Sequence, residues 1–157
     1  MKKIFEYCDL DKLVEEIKNA GGKVVLVGGC FDILHIGLVR FLKKAKEQGD
    51  LLVVALESDE TTKKLKGEGR PINSQDIRAE MLSYLNIVDY VLKLAPKLTD
   101  SDYLELTKKI SPKVLAVTEE NEKVKIIAER LGIKYVKVMP LIRDISTSRL
   151  TRLLGIE

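Results

Sequence analysis

Two uninterrupted apolar runs, Lys23–Val27 after its opening lysine and Leu51–Leu56, stand out along the chain. Runs of this length with no polar alternation predict strands covered on both faces of a mainly parallel sheet. Between them, Leu38, Val39, Leu42 and Ala45 recur at helical spacing from Gly37 onward, and Gly49 supplies a stop. The unit is strand, glycine turn, helix. Upstream, Leu10, Leu13, Val14 and Ile17 share one face of a helix predicted from Asp9 or Leu10 to Ala20, with Asp9 as N-cap and Gly21–Gly22 closing it.

Downstream the alternation continues. Ser74 is placed to cap a helix through Leu85, with Ile77, Met81, Leu82 and Leu85 facing inward, and Asp89–Leu94 reads as a third strand. Thr99 or Asp100 opens a helix ending near Ile110, and Lys113–Val117 is a fourth strand. Glu119–Leu131 is a helix stopped by Gly132, and Lys134–Val138 a fifth strand. One of Ser146, Thr147 and Ser148 should cap a final helix carrying Leu150, Leu153 and Leu154. Strands alternating with helices predict right-handed crossovers and a Rossmann-like, doubly wound α/β fold: a five-stranded parallel sheet with helices on both faces. No repeat, low-complexity tract or linker interrupts the pattern, so residues 1–157 read as a single domain.

Composition narrows the function. Lys and Arg number 27 against 24 Asp and Glu, a net charge of +3 with the signs interspersed, which gives no concentrated basic footprint for nucleic acid. No run approaches the ~20 apolar residues of a membrane helix, and the polar start MKKIFEYCDLDKL does not read as a signal peptide, so no membrane association and a cytoplasmic location are expected. Cys8 and Cys30 fit no zinc or redox spacing and read as small free thiols, with Cys30 placed by position to touch a ligand in the turn.

The candidate chemistry gathers after the first apolar strand. Gly28 and Gly29 favour a tight turn and close approach of a ligand to the backbone. His35, the only histidine, stands at the mouth of the following helix, where unpaired N–H groups and the positive end of the helix dipole attract phosphate. An imidazole there can donate to a phosphoryl oxygen, and position 38 shares its face one turn on. Lys63–Asn73, KKLKGEGRPIN, reads as a basic loop punctuated by Gly67, Gly69 and Pro71 and carrying Lys66 and Arg70. Glu57, Ser58 and Asp59 mark a loop at the carboxyl end of a strand, the edge where open α/β sheets bind ligands.

The segment GGCFDILHIGL resembles the signature Gly-x-Phe-Asp-x-x-His-x-Gly-His of the nucleotidyltransferase superfamily that includes glycerol-3-phosphate cytidylyltransferase, phosphopantetheine adenylyltransferase and the bacterial heptose-phosphate adenylyltransferase domain. Gly29, Phe31, Asp32, His35 and Gly37 match, and Leu38 replaces the second histidine. GDLLVVALESDETTKKLKGEGRPINSQDIRAEMLSYLNIVDYV is most similar to the heptose-phosphate branch, and ISTSRL is similar to the second phosphate motif. The resemblance implies strand order 3-2-1-4-5 with a crevice between strands one and four. It also implies attack by a phosphate monoester on the α-phosphorus of a nucleoside triphosphate, transferring AMP or CMP to a sugar- or polyol-phosphate and releasing pyrophosphate. Mg2+ would accompany the triphosphate, with no dedicated metal-ligand set, and a homodimer is implied.

By the same resemblance His35, Lys66 and Arg70 are the catalytic candidates. Gly28, Gly29, Cys30, Phe31, Gly37, Arg78, Thr118, Ser146 and Thr147 are the nucleotide-binding candidates, with Arg143 or Arg149 adding charge. Asp32 reads as a loop anchor. Two departures matter. Val117–Asn121 (VTEEN) stands where relatives carry a glycine-rich lysine segment, leaving Thr118 and Asn121 as candidate contacts and adding the acidic Glu119 and Glu120. Leu38 cannot donate to phosphate, which leaves three readings: a slow transferase, an enzyme in which Arg40, Lys43 or Lys44 substitutes, or a nucleotide-binding sensor or scaffold that no longer catalyses.

Overall fold

Six parallel strands form the sheet of the computed structural model, which describes residues 3–139 and 146–155. They are β1 (Ile4–Glu6), β2 (Val24–Gly29), β3 (Leu51–Leu56), β4 (Tyr90–Lys93), β5 (Val114–Val117) and β6 (Lys134–Lys137), in spatial order β1-β4-β3-β2-β5-β6. The five strands expected from the apolar runs are the last five, in the succession expected for them. The sheet nevertheless has six strands, because Ile4–Glu6 pairs with Val91–Lys93 at the outer edge. Three residues are too few to show a period-two pattern, so this strand had no signal of its own. Its pairing is reinforced by Lys93, whose ammonium donates to Glu6 at 2.6 Å.

The helices are α1 (Leu10–Ala20), α2 (Ile36–Lys46), α3 (Asp59–Lys66), α4 (Gln75–Ser83), α5 (Asp100–Ile110), α6 (Glu122–Leu131) and α7 (Thr147–Leu153). Alternating side chains of the strands feed two cores. Val24, Leu26, Val53, Ala55 and Leu92 pack under α1, α5 and α6, whereas Val25, Val27, Val54, Leu56 and Val91 pack under α2 and α4. Burial of these aliphatic side chains, at about 1.5–3 kcal/mol each, is the main stabilising term.

Four local readings are corrected. Lys63–Lys66 is not loop but the last turn of α3, whose only buried residue is Thr62. With no apolar stripe the helix lacked a periodic signal, yet its caps are complete: the Ser58 hydroxyl accepts from the Thr61 N–H, acids fill the first turn, lysines the last, and Gly67 ends it at φ +101°. In α4 Ile77 is 48% exposed, and Arg78 takes the inward position beside Ala79 and Leu82. Leu153 and Leu154 are likewise exposed, and Thr151 is the buried residue of α7. Asp9 precedes α1 without capping it through its side chain, which instead accepts from Lys12 at 2.7 Å.

The crevice follows from the ladders. β2 pairs with β3 as far as Gly29↔Leu56, but its pairing with β5 runs only through Val25↔Val114 and Leu26↔Leu115. Beyond Leu26 the two central strands part at their carboxyl ends. Here the connections leave to opposite faces, α2 to one and α6 to the other, which is the usual ligand position in an open α/β sheet.

Candidate functional site

The signature turn is built on close packing at Gly29 and an unusual backbone at Phe31. A Cβ on Gly29 would lie 3.0 Å from the Phe31 ring, while one on Gly28 would make only ordinary contact with the Ala55 carbonyl at 3.8 Å. Both glycines close β2 as strand residues, and the positive φ, +47°, falls on Phe31. A left-handed aromatic residue is uncommon and is held here by burial of its ring in the α2 core.

Asp32 fastens this turn to the basic loop. Its buried carboxylate accepts from the Ile72 N–H at 2.9 Å, the Asn73 N–H at 3.0 Å and Arg70 Nε at 2.8 Å. The Asn73 amide returns a bond to the Asp32 carbonyl at 3.0 Å. Burial alone would raise this carboxyl, but the Asn73 and Ile72 amides and the Arg70 guanidinium together hold it below its ordinary value. Asp32 is thus the loop anchor expected of it. Arg70 is drawn into the fold, 4% exposed.

Arg78 is fully buried and spans three segments. Its guanidinium donates to the Asn73 carbonyl at 3.0 Å, to the Cys30 carbonyl, and to Asp59 at 2.7 Å. It ties the signature turn, the loop before α4 and the start of α3 together.

His35 is the N-cap of α2. Its Nδ1 accepts from the Leu38 N–H at 3.3 Å, which assigns the proton of the neutral ring to Nε2. Burial lowers the imidazole pKa, so the neutral form is favoured. Gly37 is buried in the first turn, and the Leu38 side chain packs against the α2 core. Lys43 and Lys44 lie in the last turn, about 10 Å along the axis from the mouth, and Lys44 pairs with Glu47 at 2.9 Å.

The carboxyl-terminal motif meets the same turn. Ser146 caps α7 by accepting from the Arg149 N–H at 3.2 Å, and the Thr147 hydroxyl donates to the Ile33 carbonyl at 3.2 Å, two residues before His35. Arg143 lies outside the described residues. Lys66 is exposed at the end of α3, Cys30 is a half-buried free thiol, and Thr118 is half-buried directly after β5. Glu119 and Glu120 are exposed, and the Asn121 side chain is used to cap α6 by accepting from the Val124 N–H at 3.2 Å.

Two polar side chains at this edge make contacts that the sequence did not predict. Gln75 donates to the carbonyls of Leu56 at 3.0 Å and Leu94 at 2.9 Å, tying the carboxyl ends of β3 and β4. Glu57 receives the Tyr103 hydroxyl at 3.0 and 2.9 Å from its two oxygens. The one available signal for Glu57 was an acid directly following a six-residue apolar strand.

The sequence matches the family model described as cytidylyltransferase-like over residues 26–152. It is 45% identical over 138 residues to the bifunctional protein HldE of Campylobacter concisus, covering 86% of this chain and 28% of that protein. With the bifunctional protein HldE of Wolinella succinogenes the identity is 38% over 151 residues, covering 96% and 31%. The chain therefore spans under a third of the length of these relatives. Among solved structures, the lipopolysaccharide core biosynthesis protein of Thermoplasma volcanium aligns with a TM-score of 0.61 and 26% identity over 77% of this chain and 97% of that one. The pantoate-beta-alanine ligase of Francisella tularensis shares the fold, with a TM-score of 0.64 at 18% identity over 97% of this chain and 73% of that one.

Proposed function

Because the chain belongs to the cytidylyltransferase-like family, we propose that it is a nucleotidyltransferase passing AMP or CMP from a nucleoside triphosphate to a sugar- or polyol-phosphate, with release of pyrophosphate. The observation that carries this reading is the Thr147–Ile33 hydrogen bond, which brings the Ser146–Thr147 cluster onto the turn that holds His35. The reacting phosphates then lie over Gly28, Gly29, Cys30, Phe31 and Gly37, where β2 and β5 have parted, with Thr118 on the β5 flank.

No covalent intermediate is needed. A phosphate oxygen of the acceptor attacks the α-phosphorus, the bond to the β-phosphate oxygen breaks, and pyrophosphate leaves with its charge spread over its oxygens. His35 donates from Nε2 to an α-phosphoryl oxygen while its other nitrogen is fixed by Leu38, so the donor is oriented before substrate arrives. Ser146 and Thr147 hold the β- and γ-phosphates. Lys66 supplies mobile positive charge. Arg70 and Arg78 act as positioning residues, one through Asp32 and the other through the Cys30 carbonyl. Magnesium enters as part of the Mg–triphosphate substrate. A cytoplasmic homodimer is the form we assign to the working protein.

The test is pyrophosphate release from Mg–ATP and Mg–CTP with a panel of sugar and polyol phosphates. Release with one nucleotide and one acceptor class supports the transferase. Tight nucleotide binding with no release across the panel supports the sensor or scaffold reading, which the packing of Leu38 into the core favours.

A further inference from the structure

The transferase reading gives no task to Glu57, a charged group at the crevice. Glu57 follows Leu56 at the carboxyl end of β3, and its N–H donates to the Gly29 carbonyl at 3.0 Å, so it stands beside the signature turn. Strand alternation directs it with Ala55 toward the α1 and α5 face, across the turn from the α2 core. Tyr103, in the first turns of α5, lies within 3.0 Å of both carboxylate oxygens.

Burial raises the Glu57 carboxyl, opposed by the Tyr103 bond and the Arg78 charge. Among the described residues no cation pairs with it: the Arg78 nitrogens are spent on Asn73, Cys30 and Asp59. A half-buried carboxylate held without a direct ion pair is a costly way to tie a helix to a strand, since a neutral amide would serve. The single Tyr103 hydroxyl proton is shared between the two oxygens, and their remaining lone pairs need donors. Phosphate is excluded by like charge, so the fitting partner is a hydroxyl group. On the transferase reading the nucleotide lies toward Thr118 and the gap between β2 and β5, the opposite flank of β2, which leaves Glu57 on the side open to the second substrate.

We propose that Glu57, held by Tyr103, recognises hydroxyl groups of the phosphorylated acceptor and sets its selectivity. This rests on the transferase reading and adds the acceptor side of the same site.

The test compares binding of glycerol 3-phosphate, ribose 5-phosphate and mannose 1-phosphate with propyl phosphate, which has no hydroxyl, by calorimetry with a non-hydrolysable ATP analogue present. The wild type should prefer at least one hydroxylated ester by about tenfold or more, and Glu57→Gln should reduce that preference to within about twofold. Tyr103→Phe should weaken the preference by a smaller factor, and all three proteins should bind the ATP analogue within about twofold, which also reports intact folding. A wild type that does not distinguish the esters, or a Glu57→Gln variant that keeps the preference, overturns the proposal. So does a loss confined to discrimination of ATP from 3′-deoxy-ATP, which assigns the carboxylate to the nucleotide ribose. Failure of the wild type to bind the ATP analogue at all is a different result and removes the transferase reading itself.

Discussion

Asp32 and Arg70 meet at 2.8 Å with both side chains about 1% exposed, and through this contact the residue that opens the signature turn fixes the loop thirty-eight positions downstream. Breaking a buried pair by deleting one partner leaves an uncompensated charge and typically costs about 3–5 kcal/mol. Asp32→Ala should therefore lower stability by that order in urea unfolding and also free residues 70–73, whose amides lose their acceptor.

The same pair sets an acid limit. The folded-state carboxyl lies below its ordinary 3.8, so its contribution is present above that value and is lost as pH falls through the lower folded value. Unfolding free energy measured from pH 5 downward should fall more steeply in the wild type than in Asp32→Asn.

His35 has two separable duties, and two substitutions divide them. Asparagine is a good N-cap, whereas alanine is not, and losing a cap costs about 0.5–2 kcal/mol. His35→Asn should retain most of the stability lost by His35→Ala. Both should lose the donor at the transferred phosphate, a loss that commonly lowers kcat by about 10²–10³.

Burial also places the His35 pKa below 6.5, so the unfolded chain takes up the proton first as pH falls. Stability should decline below about pH 6.5 in the wild type. With a single histidine in the chain, that segment of the pH profile should flatten in His35→Asn.

Leu38→His tests whether the lost second donor limits the rate. The leucine packs on the α2 core, so the exchange should cost about 1–2 kcal/mol of stability. Turnover should rise, by about tenfold or more, if the ring reaches the phosphate. Steady-state kinetics beside a melting curve separates the two effects.

Most of the sheet could be read from the chain because buried parallel strands such as Leu51–Leu56 are continuous apolar runs, a pattern that survives without neighbours. What escaped depends on partners distant in sequence. Ile4–Glu6 is a strand only because β4 offers an edge. α3 has caps but no apolar stripe. Arg78, a nucleotide-binding candidate in the sequence, gave no sign of its burial because its acceptors, Cys30 and Asp59, come together only in the fold. The site shows the same division: His35 at a helix mouth was legible, whereas the Glu57–Tyr103 contact joins residues forty-six positions apart.

The most direct measurement is ¹⁵N NMR of the imidazole, since the lone histidine gives unambiguous ring signals. The free protein should show Nδ1 as acceptor and Nε2 protonated. Saturation with a non-hydrolysable Mg–triphosphate should shift Nε2 strongly and leave the Nδ1 state unchanged. A ring whose signals do not move when nucleotide is bound contradicts a site centred on His35.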